Sequence, residues 1–294
     1  MDNTLATLAI PDRILGLIKL TRPKQWIKNS LVLAPLVFAG LFFDFQAVGQ
    51  AALAVGLFCL ASSAAYIVND IQDMESDRRH PEKSKTRPLA ANIVSISAAL
   101  FLLSGLYAFL VWGWFMAPKV VMVIVAYLVL NLAYTFVLKH QPVIDIFSIA
   151  TGFVLRVYAG AVAIDVPVSL WMFNTTLCLA LYLAAIKRRQ ELDQSGTDGR
   201  RALKRYSVPL MDRYAEISAA GALIFYSSFV ITNRPELAIT IPIVLFSLFR
   251  YWFVAEVLGG GESPTDALLT DWQLLFSVAI WTGVCGWALW PAGG

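Results

Sequence analysis

Long, nearly unbroken apolar runs alternate with short polar breaks along the chain. The runs cover 29–45, 47–68, 89–112, 119–138, 143–164, 168–186, 214–232, 236–255 and 272–290. Each approaches the ~20 residues that a helix needs to cross a hydrocarbon core. Water is absent there, so every span must satisfy its own backbone, which a helix does. The period-two alternation of a membrane β-strand is missing. The pattern therefore predicts an all-α polytopic membrane protein, with about nine transmembrane helices in a single domain over 1–294 and an N-terminal segment 1–28. Residues 11–22 predict a separate interfacial amphipathic helix. Ile14, Leu15 and Ile18, with Leu17 at the edge, form its apolar side, and Arg13 and Lys19 lie near the headgroups. No cleavable signal peptide is legible.

Composition agrees. Of the 294 residues 58% are hydrophobic and 15% charged, and mean hydropathy is +0.66, against ~45–50% apolar and ~25% charged in soluble domains. The net charge of +3 is too small to point to nucleic acid. Cys59, Cys178 and Cys285 sit inside apolar runs without metal-ligand spacing and read as reduced. The two histidines, His80 and His140, argue against a histidine-based zinc site. Charge also predicts topology. With the N-terminus inside, 20 of 23 lysines and arginines fall on one side; Lys119 and Arg234 fall on the other and Arg156 within a span. The rich side is then cytoplasmic and, with nine spans, the C-terminus lies outside. The long polar loops 69–88, 187–213 and 256–271 share the cytoplasmic face, where function is expected.

The second apolar run ends in NDIQDMESDRRHPEKSKTRP. Asp70, Asp73 and Asp77 are spaced i, i+3, i+7 and share one face if the helix continues, with Asn69 a turn before Asp73. Like charges on one face repel, so a cation must answer them. One reading is a solvated helix end neutralised by Arg78 and Arg79. The other is Mg²⁺, which takes hard oxygen ligands and bridges carboxylates to a phosphate. Lys83, Lys85 and Arg87 follow within a few residues and suit the remaining oxygens of a polyphosphate.

NDIQDMESD resembles the NDxxDxxxD motif of the UbiA-type intramembrane prenyltransferase superfamily. That resemblance implies helices around a central cavity open to the cytoplasmic face, Mg²⁺, a polyprenyl substrate, Asn69, Asp70, Asp73 and Asp77 as metal ligands, and Asp73 and Asp77 as catalytic. RPKQWIKN, YTFVLKHQPVIDIFSIATGFVLRVYAGA, KRRQEL at 187–192, RYWF and SPTDALLTD are similar to the decaprenyl-phosphate phosphoribosyltransferase group. The group moves phosphoribose from phosphoribosyl pyrophosphate to a polyprenyl phosphate. Where other members carry a second motif, DxxxD, this chain has Lys187-Arg188-Arg189. Cations there suit a sugar 5-phosphate or a lipid monophosphate better than a second Mg²⁺.

Within the membrane, Asp145, Ile149, Gly152 and Arg156 share one face. An arginine in a span costs at least ~2.5–3.5 kcal/mol to insert and usually faces a wet cavity with a partner. Arg156 is read as an anion-binding group or, alternatively, the partner of a carboxylate elsewhere. Gly152 and Gly160 leave room for a close neighbour or a ligand. Tyr134 and Lys139 match polar positions implied by the resemblance. Lys187 and Arg188 are expected at phosphate, with Lys24 and Arg22 as further candidates; Arg200, Arg201, Lys204 and Arg205 are read as headgroup contacts. The expected activity is Mg²⁺-dependent phosphoribosyl transfer. Prenyl transfer to a small acceptor and membrane transport are the alternatives, and homo-oligomerisation stays open.

Overall fold

The computed structural model describes residues 10–79, 81–195, 203–259 and 264–290. These are helical, with no strand among them. The helices are α1 (Ile10–Leu20), α2 (Ala34–Phe38), α3 (Phe45–Arg79), α4 (Lys83–Thr86), α5 (Ile96–Met116), α6 (Pro118–Phe136), α7 (Ile144–Ala163), α8 (Leu170–Ser195), α9 (Val208–Asn233), α10 (Ile241–Glu256), α11 (Pro264–Thr270) and α12 (Trp272–Ala288). Arg200 and Arg201 of the expected basic loop lie outside the described residues, as does His80.

Among the described residues, seven helical segments are long and apolar enough to cross a membrane: α3, α5, α6, α7, α8, α9 and Pro235–Glu256, which ends in α10. An eighth is broken, with α11 and α12 meeting at 92°. Asp271 makes this corner. Its carboxylate accepts the Leu274 N–H at 2.8 Å and takes Arg250 through Nε at 3.0 Å and Nη2 at 2.6 Å. The expected loop 256–271 therefore contains a helix.

At 29–45 the expected span is not one continuous α-helix. Pro23–Leu33 forms a 3₁₀ helix of 11 residues, followed by the 5-residue α2. Pro23 and Pro35 each stand in the first turn of their element, where a missing N–H costs nothing. At ~2.0 Å per 3₁₀ residue and ~1.5 Å per α residue the segment still extends about 30 Å. Gly160 lets it press against α7: a Cβ there would lie 1.9 Å from the Val32 carbonyl oxygen. Asn29 and Trp26 pin it to α3, through Nδ2 to Ser62 Oγ at 3.2 Å and Nε1 to Ser63 Oγ at 3.0 Å.

Two core clusters hold the bundle. One joins Val32, Phe58, Leu110, Ile124, Tyr127 and Ala159; the other joins Tyr182, Ile186, Tyr251, Val254 and Leu274. Apolar side chains also point outward. Ile217, Ile224 and Ile231 on α9 step by seven residues and are exposed, as are Phe101, Phe109, Trp112 and Phe115 on α5. An apolar exterior this extensive suits lipid as solvent. On α1, Ile14, Leu15 and Ile18 are exposed while Leu20 packs against α3 and α5, the amphipathic arrangement read from the sequence.

Candidate active site

The 35 residues of α3 measure about 52 Å at 1.5 Å each, against ~30 Å of hydrocarbon core. Its last turns therefore project beyond the bilayer and carry Asn69, Asp70, Asp73 and Asp77 on one uninterrupted helix. Each carboxylate meets its own cation. Asp70 is buried and takes both Arg22 and Arg87 on Oδ1, the latter at 3.0 Å. Its Oδ2 is buried and has no hydrogen-bond partner among the described residues. Asp73 accepts Lys139 Nζ at 2.7 Å on Oδ1 and Asn69 Nδ2 at 3.1 Å on Oδ2. Asp77 lies 3.7 Å from Lys83. Four cations from three segments thus converge on one acidic stripe: Arg22 before the 3₁₀ helix, Lys83 and Arg87 around α4, and Lys139 in the turn between α6 and α7.

The stripe climbs about 10 Å from Asp70 to Asp77. Among the described residues no three carboxylate, imidazole or thiolate groups converge closely enough to hold a metal unaided. Of the four ligands expected from the sequence, Asp70 is engaged through Oδ1 by two arginines. Asn69 and Asp73, with Asp77 a turn further, remain an oxygen set for an ion that completes its shell with water and phosphate, as Mg²⁺ does. Lys24 and Lys85, also expected at phosphate, are exposed and form no ion pair among the described residues.

Arg156 is buried and, among the described residues, meets no carboxylate. Nε donates to Asn29 Oδ1 at 2.8 Å, Nη1 to the Gly152 carbonyl at 2.8 Å and Nη2 to Tyr127 Oη at 3.1 Å. The rings of Tyr127, Phe153 and Phe58 stand 4.8, 5.3 and 5.6 Å from its guanidinium carbon. Among the described residues every partner is neutral, and none is the carboxylate of the alternative reading. Among the described residues no negative charge pairs with it in the bundle interior.

Arg188, expected at phosphate, is engaged by side chains of the bundle. It is 2% exposed and sits at the centre of an ion-pair cluster rather than at an open phosphate site. Nε donates to Asp145 Oδ2 at 2.9 Å, Nη1 to Glu191 and Nη2 to Tyr134 Oη at 3.0 Å. Asp145 also accepts Tyr206 Oη at 2.6 Å, and that same oxygen accepts the Val143 N–H at 2.5 Å. Arg189 is likewise paired, with Asp212 at 2.7 Å and Glu256 at 3.1 Å. Lys187 is half-buried on α8.

Asn29, given no role of its own from the sequence, turns out to be central. Asn29 joins α3 to Arg156, and Lys28 precedes it. Burial, then the charges of Arg156 and Arg22, pull the Lys28 ammonium from its usual 10.5 down to about 8, and Asp266 pulls weakly the other way. Polar residues at the mouth of an apolar run were the available signal. Two clefts, of about 470 and 500 Å³, open elsewhere. One is lined by Lys119, Met122 and Tyr158, the other by Phe38, Pro167 and Arg234, and neither reaches the carboxylates.

An all-helical membrane bundle with an acidic stripe answered by cations from several segments has the build of an intramembrane transferase. The profile of the UbiA prenyltransferase family matches residues 31–292, and the chain belongs to that family. A decaprenyl-phosphate phosphoribosyltransferase of Mycolicibacterium smegmatis is 35% identical over 93% of this chain and 92% of its own. One from Mycobacterium tuberculosis is 31% identical over 98% and 99%. A UbiA homologue from Archaeoglobus fulgidus, solved with GPP and Mg²⁺, superposes with a TM-score of 0.71 at 18% identity, over 94% of this chain and 99% of that one.

Proposed function

We propose that this protein transfers 5-phosphoribose from phosphoribosyl pyrophosphate to a polyprenyl phosphate of the decaprenyl class, releasing pyrophosphate. The observation that carries the reading is the acidic stripe of α3 meeting Arg22, Lys83, Arg87 and Lys139. Alternating carboxylates and cations suit a metal-bound polyphosphate: the acids face the metal and the cations face the remaining oxygens. Full-length similarity to relatives that carry this activity in their names supports the same donor and acceptor.

Mg²⁺, held by Asn69, Asp73 and Asp77 together with substrate oxygens, would neutralise charge gathering on the departing pyrophosphate. Lys139 sits on Asp73 and is placed to exchange that carboxylate for a phosphate oxygen. Arg87 and Lys83 flank the same stripe and orient the anion. The anomeric carbon turns oxocarbenium-like as its bond to pyrophosphate breaks, as in other glycosyl transfers. A lipid phosphate oxygen attacks from the opposite face and inverts the centre. That nucleophile is already ionised, so no strong general base is needed; positioning and electrostatics carry the catalysis. Arg156 adds a positive field behind the site. The reading places the protein in a bacterial inner membrane, with its N-terminus and site cytoplasmic and its C-terminus outside, as the lysine and arginine distribution indicates.

The test is incubation of the purified protein with Mg²⁺, a polyprenyl monophosphate and ribose-labelled phosphoribosyl pyrophosphate. Chelator-sensitive label in the lipid fraction is expected. No label in folded protein with several lipid phosphates would overturn the reading and favour prenyl transfer from a polyprenyl diphosphate.

A further inference from the structure

Lys139 reaches Asp73 from a turn with an unusual exit. The chain leaves α6 through the 3₁₀ turn Leu138–His140 and enters α7 by way of Pro142 and Val143. Val143 has φ 68° and ψ −47°. This is close to the γ-turn geometry of positive φ, which is rare and strained, and a β-branched residue at positive φ is an outlier. The Val143 side chain is exposed, so side-chain packing does not impose the conformation. A strained backbone persists only where its surroundings over-determine it.

Here a single hydroxyl does so. Tyr206 Oη accepts the Val143 N–H at 2.5 Å and donates to Asp145 Oδ1 at 2.6 Å. The Asp145 N–H donates to the Gln141 carbonyl at 3.0 Å and closes the same turn. The other Asp145 oxygen takes Arg188 at 2.9 Å. The Tyr206 ring is buried with Leu203 and Met211, so the hydroxyl is itself held in place. Upstream, Arg188 Nη2 holds the Tyr134 hydroxyl, on the last turn of α6, at 3.0 Å. The turn is thus anchored at both ends, by Tyr134 before it and Tyr206 after it. Between these anchors Lys139 is 8% exposed, with Nζ 2.7 Å from Asp73 Oδ1.

We propose that Tyr206 is a positioning residue of this site: its hydroxyl holds Val143 at positive φ and so delivers the Lys139 ammonium to Asp73 and to the substrate phosphate oxygen that replaces that carboxylate. The inference rests on the phosphoribosyl-transfer reading for the role of Lys139, and on the geometry of the turn for the role of Tyr206. Without the hydroxyl, the turn relaxes towards negative φ and carries Lys139 away from the acidic stripe.

The experiment compares wild type, Tyr206→Phe, Val143→Pro and Val143→Gly in detergent, each with and without Lys139→Met. Val143→Pro removes the N–H and sets φ to about −65° while leaving Tyr206 on Asp145, so it tests the turn even where Tyr206→Phe fails to fold. Val143→Gly keeps the N–H and takes positive φ at no steric cost. Two quantities are read: kcat/KM for ribose transfer from phosphoribosyl pyrophosphate, and the rate at which an amine-acylating reagent modifies Lys139, followed by mass spectrometry. Tyr206→Phe and Val143→Pro should each lose roughly 10- to 100-fold in kcat/KM, the scale of a misplaced binding group, and should acylate at Lys139 severalfold faster. Val143→Gly should stay nearer to wild type than Val143→Pro in both readouts. In the Lys139→Met background the two losses should shrink below about threefold, because a residue acting through Lys139 has nothing left to position. Losses of the same size in both backgrounds would overturn the proposal. So would activity and acylation within about twofold of wild type in Tyr206→Phe and Val143→Pro. A wild type that transfers no ribose would refute the reaction, and the acylation rates would then decide the positioning alone.

Discussion

Arg188→Met separates a structural cation from a phosphate ligand. Arg188 and Asp145 are 2% and 1% exposed, and the pair is closed by Tyr134, Tyr206 and Glu191. Removing the guanidinium leaves Asp145 buried with the Tyr206 hydroxyl as its remaining side-chain donor. Breaking a buried pair from one side costs about 3–5 kcal/mol, because the surviving charge is uncompensated. With an unfolding entropy of ~2.1 cal/mol/K per residue, a chain of 294 residues turns this into a fall of roughly 5–8 °C in melting temperature. The assay is a fluorescence melt in detergent, run beside the double variant Asp145→Asn/Arg188→Met. The double variant removes both charges and should recover at least half of the loss. An Arg188→Met protein that melts like wild type but shows a tenfold higher KM for either phosphate substrate would refute this reasoning and return Arg188 to the substrate.

Asp73→Asn should keep the fold and lose roughly 10²–10³ in turnover, read by ribose transfer at saturating substrates; near-normal turnover would remove Asp73 from the site. Gly160→Ala should destabilise the bundle by about 1–3 kcal/mol, because its Cβ would strike the Val32 carbonyl at 1.9 Å, and a lower melting temperature checks it. Lys28, with its pKa lowered to about 8, is charged below that pH and neutral above it. The unliganded melting temperature should therefore gain from this group as pH rises from 8 towards 10, a gain that Lys28→Met should lack. The depressed value also means that protonated Lys28 disfavours the folded state below pH 8, and that this cost fades as pH rises towards 10.5.

Length and continuity of apolar runs made most spans legible, because a bilayer imposes one length on every crossing helix. The segment 29–45 misled because apolarity does not distinguish an α-helix from the 3₁₀ path taken after Pro23. The bend at Asp271 was hidden for a related reason: the residue that causes it is recognised by Arg250, 21 residues earlier. The acidic stripe was visible from spacing alone, since i, i+3, i+7 holds wherever a helix continues. The pairing of its cations was not. Lys139 reaches Asp73 across 66 residues and Arg156 reaches Asn29 across 127. A string of basic residues gives no sign of which will be buried against acids, so Arg188 looked as available as Lys187.

The donor decides the central claim. Purified protein with Mg²⁺ would be offered ribose-labelled phosphoribosyl pyrophosphate and a polyprenyl diphosphate together, with a polyprenyl monophosphate and an aromatic acceptor both present, and the products resolved by mass. A polyprenyl phosphoribose is the expected product, formed with release of pyrophosphate and lost in Asp73→Asn. A prenylated aromatic product without phosphoribosyl lipid would contradict it.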